Sequence, residues 1–437
     1  MGAEKVLRAG LFLALLWWLP QSWAAPEIQS WTTSKGAKVL FVQADALPML
    51  DVRVVFDAGS ARDGELPGLA AFTNAMLTEG AGEWDAGMLA ARVEDRGIRL
   101  GSGSLRDMSW VSVRTLSEPE TRESAIETLS KVLAEPRFDE TALERVRQQM
   151  LIGLRRAEQS PSSVASRRFY RTLYADHPYA HPSEGTVASL EAINQSLLRS
   201  FHHRYFVAAN AVIAMVGAVD RATAEQIAEQ ATAGLQRGQH APDLPRVPEV
   251  KGGELRQTFP SSQTHIYLGH SGVARHDPDY FPLYVGNHVF GGSSLVSILG
   301  EEVRNKRGLS YSVYSYFSPM RAKGPFLMVA QTKNVQAGEA LEVMRETLQQ
   351  YLDDGPSDEQ LEAAKRNIIG GFPLKIANNG KIVEYISMIG FYGLPLNWLD
   401  TLTGKVAAVT SLQVRDAFRR RIDPANSIAV VVGGKDS

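Results

Sequence analysis

The sequence predicts an α+β protein of two homologous domains, each an antiparallel sheet with helices packed on one face. Three observations carry this expectation. Related segments recur once in each half of the chain, strands follow one another in hairpin-like pairs, and long amphipathic helices are grouped beside those pairs.

The repeat sets the domain count. "AANAVIAMVGAVD" closes the first half and "PANSIAVVVGG" the second, with Asn210 and Asn426 standing 216 residues apart. "LERVRQQMLIGL" from Leu143 matches "LEAAKRNIIGGF" from Leu361 at an offset of 218, and "AGSARD" ending at Asp63 matches "SGVARHD" ending at Asp277 at 214. Three matches in one order at a nearly constant offset indicate two copies of one domain, not a short-period solenoid. Between the copies, the stretch from Leu235 to Leu255 carries Pro242, Pro245, Pro248, Gly252 and Gly253 and reads as an extended linker. The expected division is a first domain over 26–236, a linker over 237–254 and a second domain over 255–437.

Within each copy the two hydrophobic periods are separable. Alternation marks strands in "MLDVRVVFDAG", "MSWVSVRTL", "HIYLGHSG", "LSYSVYSYF" and "GPFLMVAQT". A helical period marks "ESAIETLSKVLAE", "ETALERVRQQMLIGLRRAEQ", "AGEALEVMRETLQQYLDD" and "DEQLEAAKRNIIGGF".

Residues 1–24 stand apart from the fold. Lys5 and Arg8 precede an apolar run from Ala9 to Leu19, followed by Pro20 and the small-residue ending Ser22-Trp23-Ala24. This is the pattern of a secretory signal peptide cut after Ala24 or Ala25, and the run is short of the roughly 20 apolar residues that span a bilayer. The expectation is therefore a soluble periplasmic protein with no membrane segment after cleavage. Loss of residues 1–24 removes two basic and one acidic residue, which moves the net charge from −2 to −3. That balance gives no support to nucleic-acid binding, which favours a basic face. Cysteine is absent, which excludes disulfides, thiol catalysis and Cys-zinc sites.

Chemistry-bearing motifs are few. The nine histidines form no H-E-x-x-H, and no G-x-S-x-G elbow occurs. His177 and His181 sit in the Pro-rich "HPYAHP", which reads as a turn with polar side chains. The adjacent His202 and His203 point to different sides of a helix and chelate poorly. Gly291-Gly292-Ser293-Ser294 lacks the G-K-[ST] ending of a phosphate loop.

Almost the whole chain after residue 24 resembles the M16 zinc peptidases, the pitrilysin and mitochondrial-processing-peptidase group, in their short two-domain form. The resemblance is carried by "PGLAAFTNAMLTEG", "RRAEQSPSS", "HPYAHPSEGTVASLEAIN", "GGSSLVSILGEEVRNKRGLSYSVYSYF" and "GLPLNWLDTLTGKVAAVTSLQVRDAFRRRIDP", in this order. It implies a half clamshell that pairs with a second half around a peptide chamber. Active members carry H-x-x-E-H on the first helix: two histidines on one face hold zinc, and the glutamate acts as base on a zinc-bound water. Here those positions are Ala71, Asn74 and Ala75, and the further acidic ligand position falls near Ile152 or Gly153. No zinc is therefore expected on this chain, and no catalytic residue in it acting alone.

The resemblance implies two further features. Arg304 and Tyr311 match an Arg/Tyr pair of the second domain that reaches the substrate backbone near the zinc, with Arg307 as the competitor for the arginine role. Gly101, Ser102, Gly103 and Ser104 match an edge strand that pairs with extended peptide, a plain edge hairpin being the alternative. From spacing, Leu295, Ile298, Leu299 and Val303 form a helical stripe ended by Gly308. Tyr311, Val313, Ser315 and Phe317 should share one face of the next strand.

The function expected is a non-catalytic subunit that pairs with an M16 partner bearing intact H-x-x-E-H. The partner would hold the zinc, and the pair would cut unfolded or extended peptides, with Arg304 and Tyr311 supplied in trans. The alternative is a non-enzymatic homodimer that binds peptides or serves as a scaffold.

Overall fold

The computed structural model describes residues 27–293 and 296–434. The export segment expected over 1–24, and Leu295 of the helical stripe, lie outside the described residues.

The first half contains β1 (Gln29–Thr32), β2 (Lys38–Gln43), β3 (Met49–Phe56), α1 (Leu69–Met76), β4 (Gly80–Ala81), β5 (Trp84–Asp85), α2 (Ala86–Asp95), β6 (Arg99–Ser104) and β7 (Ser109–Leu116). It continues with α3 (Pro119–Ala134), α4 (Glu140–Glu158), α5 (Pro161–Tyr174), α6 (Val187–Ala192), α7 (Gln195–Tyr205), β8 (Ala211–Gly217) and α8 (Arg221–Thr232). The second half contains β9 (Gly253–Thr258), β10 (Gln263–Ser271), α9 (Tyr280–Asn287), β11 (Ser310–Phe317) and β12 (Pro325–Lys333). Then come α10 (Ala337–Asp354), α11 (Asp358–Lys375), α12 (Asn379–Tyr392), α13 (Trp398–Ala407), α14 (Ser411–Arg421) and β13 (Ile428–Gly433).

The strand orders are β1-β2-β8-β3-β7-β6 and β9-β13-β10-β12-β11. Without β1 the two sheets have one topology, so β6 and β11 occupy the same edge of their domains. The α+β class and two sheet-and-helix domains are as expected. The sheets themselves are mixed: β2 runs parallel to β8, and β9 to β13. The closing strand of each copy is inserted in the middle of its sheet. It therefore sits between one parallel and one antiparallel neighbour.

Helices on one face do not complete the layers. Val39 and Phe41 of β2 join the first domain's own core with α1, α3 and α7, whereas Leu40 and Val42 point the other way into the second domain's cluster. Sequence alternation of apolar and apolar leaves both faces in need of cover. The cover is reciprocal. The α12 helix of the second copy lies across β8, β3 and β2, and α5 of the first copy lies across β13 and β10. These two helices occupy equivalent places in the repeat, so each copy lends the same helix to the other.

The stretch 236–252 has no regular structure and runs along this seam. It is fixed rather than loose: Pro242 O accepts from Arg62 Nη1 at 2.7 Å, Pro245 O pairs with His177 Nε2 at 3.1 Å, and Leu244, Val247 and Val250 pack on the α5 cluster.

Candidate functional site

The frame of the first helix is intact. Gly68, at φ +90, starts α1 in a conformation that suits glycine, and a Cβ there would stand 2.7 Å from Gly185 Cα. Gly185 in turn approaches Pro67, whose carbonyl accepts from Ser189 Oγ at 2.6 Å. Asp63, absent from the sequence expectations, accepts at 2.7 Å from both Gly68 N–H and Ala70 N–H. A carboxyl group there satisfies two orphan donors of the helix start through its two oxygens. Burial pushes the Asp63 carboxyl up to about 8 despite those two bonds.

The donor set on α1 does not fit a zinc ion. Ala71 and Ala75 are half-buried and have no ligating atom. Asn74 is 2% exposed, and its Nδ2 donates to Trp110 O at 3.2 Å. Its carboxamide thus ties α1 to β7 where a catalytic helix would hold its base. At the downstream position Ile152 is exposed, and a Cβ on Gly153 would meet nothing within 4 Å. Among the described residues, no group of three or more His, Asp or Glu side chains could hold a metal. His202 instead bonds Leu133 O at 2.8 Å, and burial holds its pKa down to about 4. His177 is buried, with Nδ1 accepting from Tyr179 N–H at 3.1 Å.

Beside α1 lies β6, the unpaired edge of the first sheet. Gly101, Ser102, Gly103 and Ser104 all belong to it, paired through β7. The small residues have two different causes. A Cβ on Gly103 would stand 2.2 Å from Trp110 Cζ2, so this glycine makes room for the chain's own indole. A Cβ on Gly101 would meet only the rotatable Ser112 Oγ, at 3.3 Å, so there a small shift of one hydroxyl would admit a side chain.

Arg304 and Tyr311 stand at the equivalent edge of the second domain. Arg304 lies on the turn of π-helix Glu301–Asn305 and its Nε donates to Asn305 Oδ1 at 3.2 Å. Gly308, at φ +62, ends this segment: its N–H bonds Arg304 O at 3.0 Å and Leu309 N–H bonds Val303 O at 2.9 Å. Arg307 is engaged by Glu302 at 2.7 Å. Tyr311 does not share a face with Val313. The register to β12 shifts between Ser310 and Ser312, so Tyr311 is the extra residue of a bulge. Ser310 Oγ, within 2.7 Å of both Ser312 O and Gln331 O, closes that bulge. Tyr311 is left 92% exposed.

Residues 38–187 match the model of Insulinase (Peptidase family M16), and residues 192–368 match that of the Peptidase M16 inactive domain. The chain belongs to peptidase family M16. The crystal structure of a peptidase M16 inactive domain from Pseudomonas fluorescens is 39% identical with a TM-score of 0.91, covering 93% of this chain and 98% of that one. "Non-peptidase homolog YmxG" of Helicobacter pylori is 25% identical over 91% of this chain and 92% of its own length. "Uncharacterized zinc protease YmxG" of Bacillus subtilis is 24% identical over 81% of this chain and 87% of its own length.

Within M16, this chain is an inactive member. Its structure brings Ala71, Asn74 and Ala75 together with Gly101–Ser104 in one domain and carries Arg304 and Tyr311 on the other. Sequence reading missed Asp63 because a lone aspartate in a loop looks like any other. Two signals were available: its recurrence as Asp277 in the second copy, which was read only as a mark of the repeat, and its place five residues before the helix-starting glycine.

Proposed function

We propose that this chain is the exported, non-catalytic subunit of a heteromeric zinc peptidase. Its partner is an M16 subunit with intact H-x-x-E-H, which holds the zinc and the general base. This chain supplies half of a periplasmic chamber for extended peptides, with Arg304 and Tyr311 presented to substrate in trans. One observation carries the reading: Tyr311 is lifted by a bulge out of its sheet's alternation and stands in solvent on the second domain, while the helix of the first domain has no metal-binding residues at Ala71, Asn74 and Ala75. An aromatic ring held clear of its own sheet by a closed bulge suits a tyrosine that serves a surface outside its own core. Its hydroxyl can donate to a substrate carbonyl as negative charge develops there.

Co-expression with such a partner tests this. Peptide cleavage by the purified pair should fall roughly 100- to 1000-fold in Tyr311→Phe, as loss of one oxyanion-type donor does, and should also fall in Arg304→Ala. Full cleavage in both variants would remove the proposed role. A stable homodimer that binds peptides without zinc or partner would favour the non-enzymatic alternative.

A further inference from the structure

A second site opens where the exchanged α5 meets the tip of the β6–β7 hairpin. It is a pocket of about 330 Å³ lined by Arg106, Arg167, Ser162, Ser166, Tyr267 and Glu184, among others. Three parts of the fold converge on it. Arg106 comes from the first sheet's hairpin, Tyr267 from the second sheet, and the serines from the first turns of α5.

The charges in this pocket are incompletely answered. Arg167 Nε and Nη2 are buried without a hydrogen-bond partner; Glu184 Oε1 lies 3.5 Å from Nε, an ion pair too long to be a hydrogen bond. Arg106 is stacked on the Tyr170 ring at 3.7 Å and gives Nε to Tyr179 O at 3.3 Å. Its two terminal nitrogens have no hydrogen-bond partner among the described residues. The Tyr267 hydroxyl and Ser162 Oγ hold each other at 2.9 Å. Two guanidiniums facing one carboxylate leave a net positive pocket, with fork-shaped donors that match a planar anion. Buried donors without acceptors are costly, and an anion in the pocket, within reach of the Arg106 terminal nitrogens, would offset the uncompensated charge of Arg167.

The placement identifies the anion. Arg106 stands two residues beyond Ser104, the last residue of the open edge strand. A peptide laid parallel to β6 would bring its carboxyl end to this pocket, and one laid antiparallel could bring an acidic side chain. We propose that the Arg106/Arg167 pocket binds the carboxylate of an extended peptide lying on β6, and so selects peptides with a free C-terminus or an acidic residue there. The biological ligand rests on the peptide-chamber reading; carboxylate binding itself does not.

Ligand-observed NMR on the full chain separates the two. N-acetyl-alanyl-alanine, too short to pair as a strand, should bind as the free acid about tenfold better than as its carboxamide. Binding of the acid should be lost in Arg106→Gln/Arg167→Gln and strengthened in Glu184→Gln, a surface change that keeps the test alive if the arginine pair is needed for folding. Heptapeptides ending in a free carboxylate, or in a glutamyl amide, should bind more tightly than the dipeptide, and their ranking assigns the source. Equal binding of acid and amide would overturn the proposal. So would undiminished binding in the folded arginine variant, or binding of inorganic phosphate in place of the acid. If the dipeptide acid binds and longer peptides gain nothing, the pocket stands and the edge-strand reading falls.

Discussion

The Tyr392 hydroxyl donates to Asp107 Oδ2 at 2.9 Å, tying the last residue of α12 to the hairpin between β6 and β7. The same carboxylate accepts from the Tyr179 hydroxyl and, at 2.8 Å, from the Arg321 N–H. Asp107 is 3% exposed, so every donor around it depends on it. Burial, reinforced by the negative charge, pushes both tyrosine hydroxyls well above their ordinary range. Tyr392→Phe removes one neutral donor and should cost about 1–2 kcal/mol. Asp107→Ala strands two hydroxyls and an amide across the seam and should cost about 3–5 kcal/mol. Urea denaturation of the two variants checks the ranking, and equal midpoints would show that Asp107 is not the hub.

The helix exchange makes two glycines behave in opposite ways. Gly390 of α12 lies against the first sheet, where a Cβ would stand 2.5 Å from Val212 Cγ1 and 2.7 Å from Leu40 Cδ1. Gly390→Ala gains about 1 kcal/mol of helix propensity but forces the helix off the sheet, for about 1–3 kcal/mol of overpacking. A net loss of stability is expected. Gly370 of α11 has nothing within 4 Å of an added Cβ, so Gly370→Ala should stabilise by about 0.5–1 kcal/mol. Thermal melts of the pair read the sign directly.

The duplication, the principal strands and the four long amphipathic helices were legible because each repeats or buries one face of a simple period. The α10 helix begins and ends where its pattern does. The exchange was not legible. Helices α5 and α12 are packed between domains, and which sheet a helix covers is a long-range fact that periodicity does not encode. The loss of ligating atoms at the α1 positions was legible in the residue types themselves, since Ala71 and Ala75 carry none. The bulge at Tyr311 was hidden because the residues around it continue an unbroken alternation, and only the pairing to β12 shows the slip. The Arg106/Arg167 pocket was invisible for the same reason as the exchange, because its arginines meet through it.

The retained helix frame predicts what partial restoration would achieve. Ala71 and Ala75 are half-buried and four residues apart, so Ala71→His/Ala75→His places two imidazoles on one helix face. The double variant should show a melting temperature that rises with zinc concentration, by RT ln(1 + [Zn]/Kd), while the parent chain shows none. It should cleave no peptide, because Asn74 still bonds Trp110 O and supplies no base. Zinc-independent melting of the variant would mean that the two imidazoles do not converge on one ion.

Acid should destabilise the chain through His202. Its Nε2 bonds Leu133 O at 2.8 Å, and its ring stacks on Phe206 with centroids 5.1 Å apart. Burial lowers its pKa from 6.5 to about 4, with the neighbouring His203 and Arg199 charges adding to the effect. Between those values the unfolded chain binds a proton that the folded chain refuses, so stability rises with pH across this window. The contribution is fully present above pH about 6.5 and is lost as pH falls toward 4, a change of roughly 2–4 kcal/mol. His202→Phe keeps the stacked ring, forfeits one hydrogen bond, and removes the titrating group. Its stability should therefore be lower at pH 7.5 but flatter between pH 6.5 and 4 than that of the parent. Chemical denaturation across that range measures the slope, and parallel pH profiles would place the acid sensitivity in another group.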